Sequence, residues 1–155
     1  MTTPAAQLQQ FLQDNIPLAK ATGATVAELS DAGLSVHAPL APNSNHHGTA
    51  FGGSLYVVAL AAGWGLTYLL LREAEIEAAL FVQHAEADYL APVTGELHAL
   101  AERPSQRALN SFIKALRSNG RARLQISINM HCNNRHAFAL KADFAARVPG
   151  AKTAP

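Results

Sequence analysis

Cysteine is almost missing from this chain: Cys132 stands alone among 155 residues and can form no internal disulfide. Met1 to Gln10 has neither a basic start nor an apolar run, so no secretory signal is expected there. Both absences predict a reducing, cytoplasmic setting. Charge is scarce as well, at 15% of residues against 49% hydrophobic. A chain of this size and composition can bury one substantial core, so a single domain over residues 1–148 is expected, with a short disordered tail at 149–155. No repeat or low-complexity stretch interrupts it.

Two local absences are sharper. Between Glu102 and Asp143 there is no acid, and ten of the twelve Lys and Arg residues lie from Arg103 onward while ten of the eleven acids lie before it. That asymmetry predicts a basic face suited to phosphates or to an acidic partner protein, with a solvated strand face as the alternative. Arg121 and Arg123 are the candidate phosphate contacts. The basic half offers only Phe112, Phe138 and Phe144 as stacking residues, which argues against nucleic-acid binding. The other gap is the run from Gly52 to Leu71, which carries no charge at all.

About 20 apolar residues suffice to cross a bilayer, so this run has to be weighed as a membrane span. Four glycines, a serine and a threonine dilute it, and no cluster of positive residues flanks it on one side. It reads instead as a helix over about Gly53 to Leu71, apolar on all sides and buried within one domain, with no membrane span.

The remaining pattern supplies its cover. Thr3 and Pro4 read as the cap and first residue of a short helix with the stripe Leu8, Phe11 and Leu12, closed by Asn15-Ile16-Pro17. Thr25 to Glu28 and Leu34 to Ala38 read as a hairpin joined at Asp31-Ala32-Gly33. After the apolar helix, strands are expected at Leu80 to Tyr89, Glu96 to Glu102, Ala108 to Arg117, Arg121 to His131 and His136 to Val148. The last three would form an antiparallel meander turning at Asn119-Gly120 and Asn133-Asn134, residue types that tolerate positive φ. Five or six antiparallel strands with one apolar face each can curl around the helix, giving an α+β fold. The sheet would still have free edges, so a homodimer or a dimer of dimers is expected.

The most informative loop runs from Asn43 to Ser54 and delivers small residues to a helix start. The first helical turn leaves N–H groups unpaired at the positive end of the dipole, and Gly52 and Gly53 let a ligand approach the backbone. A thioester carbonyl could be polarised there as its oxyanion forms. The alternative is that these glycines only permit close packing of helix on sheet.

Asn45, Gly48-Thr49, Gly52-Gly53-Ser54-Leu55 and Gly63-Trp64-Gly65 together resemble the hotdog-fold thioesterase superfamily. Within it the chain is most similar to thioesterase-like domains that in some proteins sit behind an acetyltransferase domain, for which this chain has no room. The likeness runs from about Asn15 to Val148 and includes Tyr89 to Pro92, Gly95 and Gly120. It implies a dimer with sites between subunits, an acyl chain beside the long helix, and hydrolysis by water of acyl-CoA or acyl-carrier-protein thioesters, with no cofactor beyond the substrate itself. Substrate contacts are then expected from His46, Gly48, Thr49, Phe51, Gly52, Trp64, Arg121 and Arg123.

Many relatives place an Asp or Glu about two turns into the long helix, and here that position falls near Leu60. A base must come from elsewhere. A neutral His46 or His47 could deprotonate water, with Asn45 orienting it. His84 shares a strand face with Glu86 and Asp88, which either meets a partner's helix start or is simply solvated. Gly53 and Ser54 complete the catalytic candidates, although Ser54 lies outside any Gly-x-Ser-x-Gly elbow and reads as a cap or polar contact. Trp64 and Tyr68, four apart, fit core packing as well as ligand stacking. His46, His47, His131, Cys132 and His136 show no tight ligand spacing, so no metal site is expected. The alternative to hydrolysis is a non-catalytic module that binds acyl-CoA or an acyl carrier, favoured by the missing helix acid.

Overall fold

The computed structural model of the protein describes residues 2–151. In chain order its elements are α1 (Pro4–Asn15), α2 (Pro17–Ala21), β1 (Thr25–Ser30), β2 (Gly33–Ala38), a 3-10 turn at Ala41–Asn43, α3 (Gly52–Glu73), β3 (Ala79–Tyr89), β4 (Leu97–Glu102), α4 (Gln106–Asn119), β5 (Arg121–Cys132) and β6 (Arg135–Arg147). The six strands make one sheet in the order β1-β2-β4-β5-β6-β3, every neighbouring pair antiparallel. Helix α3 lies on its inner face, the hotdog arrangement.

Local chemistry sets these elements. Thr3 Oγ1 accepts from the Ala6 N–H at 3.2 Å, and Pro4 occupies the first turn, where its missing N–H costs nothing. Leu8 and Leu12 are buried against the core. Pro17 closes α1 but also opens α2, an extra turn that the sequence pattern does not announce. The expected β1–β2 hairpin is present, closing with Ser30 opposite Gly33. Asn133 and Asn134, at φ 52° and 61°, make the expected turn between β5 and β6.

The segment expected as a strand from Ala108 to Arg117 is instead helix α4. Leu109, Phe112, Ile113 and Leu116 recur at steps of three and four, the helical period, and Phe112 and Leu116 are the buried pair. Ser105 Oγ caps the start by accepting from the Ala108 N–H at 3.2 Å. Gly120, at φ 72°, ends the helix in the left-handed conformation and gives its N–H to Leu116 O at 2.9 Å. Asn119-Gly120 is therefore a helix end and no hairpin turn, and the meander becomes β4-β5-β6. Pro149 to Ala151 turn back on Val148 through the Ala151 N–H, and residues 152–155 of the expected tail lie outside the described residues.

Period-two alternation puts Leu34, Val36 and Ala38 of β2, Leu97, Ala99 and Ala101 of β4, Leu124 to Met130 of β5 and Phe138 to Ala146 of β6 on the inner face, all buried against α3. Each large side chain so buried contributes about 1.5–3 kcal/mol. Close approach is secured by two helix glycines: a Cβ at Gly63 would meet Ile128 Cδ1 at 2.9 Å, and one at Gly65 would meet Leu8 Cδ2 at 2.9 Å. The buried Thr67 hydroxyl is satisfied within α3, donating to Gly63 O at 2.9 Å.

Cover for α3 is less complete than the sequence pattern implies. Its most apolar window has a mean hydropathy of 1.7, enough by length and composition to cross a membrane, and 61% of that window is buried inside this domain. Tyr56, Leu60, Trp64 and Tyr68, four apart along one stripe, are only half-buried. Phe11 of α1 stacks on Trp64 and Tyr68 at 5.5 and 5.4 Å, so an aromatic ring covers the later half of the stripe. Edge strand β3 borders this stripe with Phe81, Val82 and Tyr89 exposed.

Candidate active site at the start of helix α3

The loop from Pro39 to Phe51 is built to hold one helix end in place. Asn43 is buried and donates from Nδ2 to Thr22 O at 2.8 Å and Pro39 O at 2.7 Å, while its carbonyl accepts the Phe51 N–H at 2.7 Å. Asn45 organises the next turn. Its Oδ1 accepts from the His47 N–H at 2.9 Å and the Thr49 N–H at 3.2 Å, and its Nδ2 donates to Thr49 Oγ1 at 3.0 Å. One amide hydrogen of Asn45 is left over, since a primary amide carries two. Gly48, at φ 76°, takes the left-handed position of that turn, and the Ala50 N–H then ties the loop to Val93 O at 2.8 Å.

Helix α3 starts without a side-chain cap, because its N-cap position is Phe51. The N–H groups of Ser54 and Leu55 both turn back to Phe51 O, at 2.9 and 3.2 Å. Among the described residues no acceptor meets the N–H of Gly52 or Gly53. Two free donors at the positive end of a 22-residue helix form an anion-receiving geometry. Gly52 borders a depression of about 350 Å³ lined also by Thr49, Leu55, Tyr89, Leu90 and Val93. A Cβ on Gly52 would meet the Tyr89 ring at 3.1 Å, and the Tyr89 hydroxyl donates to Gly52 O at 3.3 Å. The exposed Phe51 ring lies over Gly53. At Gly63 and Gly65 the reason for glycine is helix-on-sheet packing; at Gly52 and Gly53 the neighbours are two aromatic rings at the mouth of this depression.

The structure gathers Asn45, His46, His47, Gly48, Thr49, Phe51, Gly52, Gly53 and Ser54 around the helix start. His46 and His47 are exposed, with ring centroids 3.8 Å apart. Ser54 is the third helical residue and so is not the cap that its sequence context suggested. The structure holds four other candidates apart from this group. His84 pairs in register with Asp143 on the outer face of the sheet and lies 3.4 Å from Glu86, about 17 Å along β3 from Tyr89. Arg121 and Arg123 sit on the outer face near the start of β5, about 30 and 23 Å along that strand from Met130, the end that pairs with Phe138 beside Tyr89. Trp64 is some three turns into α3, about 17 Å from Gly53, and donates its indole N–H to Leu80 O at 3.2 Å. It also stacks on Phe11 at 5.5 Å.

Tyr89 and Leu90 are site residues to which sequence reasoning gave no role. The signal was an aromatic at a strand end just before Ala91-Pro92, but its meeting with Gly52 depends on the register of β3 against β6 and a bulge at Val82/His84. A larger depression of about 740 Å³ lies at the other end of α3, against α4, and is lined by Leu70, Glu73, Arg103, Ile113, Lys114 and Arg117. Arg103 is held there by Glu73 at 2.8 Å and Arg117 by Ala74 O at 3.2 Å. It lies at the far end of α3 from the glycine-rich loop, and the start of α3 remains the candidate carbonyl site.

Comparison with known proteins agrees on this frame. Residues 5–148 match the family model described as "Putative thioesterase (yiiD_Cterm)". A protein of unknown function from Chlorobaculum tepidum is 28% identical, with a TM-score of 0.90 over 93% of this chain and 94% of that one. A putative thioesterase from Shewanella oneidensis is 26% identical, with a TM-score of 0.85 over 94% of this chain and 98% of its own. A probable thioesterase from Pseudomonas aeruginosa, 16% identical with a TM-score of 0.78 over 96% and 98% of the two chains, shares the fold.

Proposed function

The chain belongs to this family, and we propose that it hydrolyses an acyl thioester of coenzyme A or of an acyl carrier protein, receiving the carbonyl at the start of α3. The observation that carries this reading is the pair of N–H groups at Gly52 and Gly53 without an acceptor among the described residues, at a helix start where Gly52 lines the depression beside Tyr89. The thioester oxygen accepts from these donors. A neutral imidazole of His47 or His46 removes a proton from water as its oxygen attacks the carbonyl carbon, and the tetrahedral oxyanion is held by the same donors. Collapse breaks the C–S bond, and the imidazolium returns its proton to the departing thiolate, giving acid and thiol. The free amide hydrogen of Asn45 orients the water, and Ser54 Oγ borders the carbonyl. No cofactor enters.

The acyl chain lies along the half-covered Tyr56–Leu60 stripe, where α3 offers apolar surface and no acid between Ser54 and Leu71. A second copy pairing along the edge of β3 would close that stripe, as a homodimer. Arg121 and Arg123 then serve phosphates or an acidic carrier only if the partner brings them near. The lone Cys132 suits a cytoplasmic setting.

A panel of acyl-CoAs with a thiol reporter tests the proposal. Cys132 adds at most one thiol per chain, so many equivalents of thiol per chain mark turnover, and background release across all chain lengths would refute it. The second reading is a binding module without turnover, favoured by the same missing acid. It requires acyl-CoA to raise the melting temperature while no thiol appears.

A further inference from the structure

We propose that His37, Glu96 and His98 form a binding site for one divalent transition-metal cation of the zinc type, on the face of the sheet opposite α3. His37 on β2 and His98 on β4 are direct cross-strand partners, and Glu96 stands two residues before His98. Their inner-face neighbours Val36, Ala38, Leu97 and Ala99 are buried, which fixes both imidazoles on the outer face. The two rings meet edge to face with centroids 4.2 Å apart.

The distances discriminate between two accounts of this cluster. Glu96 Oε1 is 3.6 Å from His37 Nδ1 and 3.4 Å from His98 Nε2. Both exceed the roughly 2.7–3.2 Å of a good N–H···O hydrogen bond. The second matches the edge of a tetrahedral site, about 3.3–3.5 Å when the metal–ligand bonds are about 2.0–2.1 Å, and the first is about 0.1 Å longer. All three donor atoms lie within 4.8 Å of one another, so a small ring rotation brings the two nitrogens into range. Side-chain exposures of 33%, 53% and 51% leave the groups free to adjust and leave water access to the fourth position. No other side-chain partner among the described residues occupies either imidazole.

Two imidazoles and a carboxylate suit zinc and its first-row neighbours better than calcium or magnesium, which prefer all-oxygen sites. Bound there, the ion would clip β2 to the segment that carries Val93 and Glu96, and Val93 O anchors Ala50 just ahead of α3. Glu96 and His98 are two residues apart but His37 lies some sixty residues earlier, so linear spacing alone does not bring the three together.

Full-length protein stripped with chelator and titrated with zinc by calorimetry is expected to bind one ion per chain and to melt at a higher temperature with zinc than without. His98→Ala and Glu96→Gln, both at exposed positions, should each weaken binding on the order of tenfold or more and abolish the melting shift. Cobalt should give the intense visible bands of a four-coordinate ion, lost in the His37→Ala/His98→Ala double variant. Zinc binding unchanged in that double variant would overturn the proposal by placing the ion on another histidine pair. Absence of saturable binding to the wild-type chain would overturn it outright.

Discussion

Gly52 occupies the first position of α3, where a proline fits the helix and removes one N–H. Phe51 ahead of it, at φ −63° and ψ 133°, already has the extended backbone that proline requires of its predecessor. Gly52→Ala adds the same Cβ against the Tyr89 ring but keeps the N–H, so comparing the two isolates the donor. Gly52→Pro is expected to lower kcat by about 10²–10³-fold relative to Gly52→Ala, the usual cost of losing one oxyanion donor. Their melting temperatures should stay close, and equal kcat values would remove the carbonyl site from this helix end. Legibility in the sequence divides at this same scale. Asn45, Gly48, Gly52 and Gly53 are punctuation in one loop, and local chemistry exposes them. Tyr89, and the meeting of His37 with His98, exist only through pairing between distant strands. His37 also carries a pH signature. Burial first, then His98, lowers its pKa from the ordinary 6.5, against a smaller raising effect of Glu96. The unfolded chain therefore binds a proton more readily, and the stability present above about pH 6.5 is lost as the pH falls through the lower folded value. In metal-free buffer the melting temperature should drop on acidification below 6.5, and His37→Gln should flatten that slope.

At the scale of elements, α3 is legible because an uncharged run of that length has few fates, and α1 because a threonine cap, a proline and an apolar stripe agree. Strands β2, β5 and β6 are legible by alternation. Helix α4 reads as a strand in the sequence although Leu109, Phe112, Ile113 and Leu116 carry the helical period, because its neighbours on both sides are strands and Asn119-Gly120 also suits a hairpin. The structure shows what that glycine does: it ends α4 at φ 72°, accepts from the Val148 N–H at 2.8 Å, and leaves no room for a Cβ, which would lie 2.8 Å from that of Ala151. Gly120→Ala should cost about 1–2 kcal/mol from left-handed backbone strain, with the contact adding to it. At about 2–4 °C per kcal/mol for a chain of this size, that is a fall in melting temperature of roughly 2–8 °C. Ser105→Ala at the other end should cost about 1 kcal/mol through loss of the cap. An unchanged melting temperature in both would mean that α4 frays before the rest of the domain unfolds.

For the whole molecule the governing fact is incompleteness at one edge. Strand β1 ends the sheet beneath α1, which reaches it through Gln9, but β3 has no strand beyond it and leaves Phe81 61% and Val82 42% exposed. Beside β3, Tyr56 and Leu60 of α3 are only half-buried. A long, partly apolar free edge next to a half-covered helix suits a partner, and the proposed second copy pairing along β3 would supply both a strand and a lid. Val82 faces inward opposite Phe144, so Val82→Asp puts a charge on the face that the second copy would cover without removing a fully buried side chain. Light scattering after gel filtration should give a dimer for the wild-type chain and a monomer for Val82→Asp. If the acyl stripe depends on the partner, thioester cleavage should fall in that variant far more than its melting temperature does. A wild-type chain that runs as a monomer at assay concentration and still turns over substrate would show that one subunit is enough.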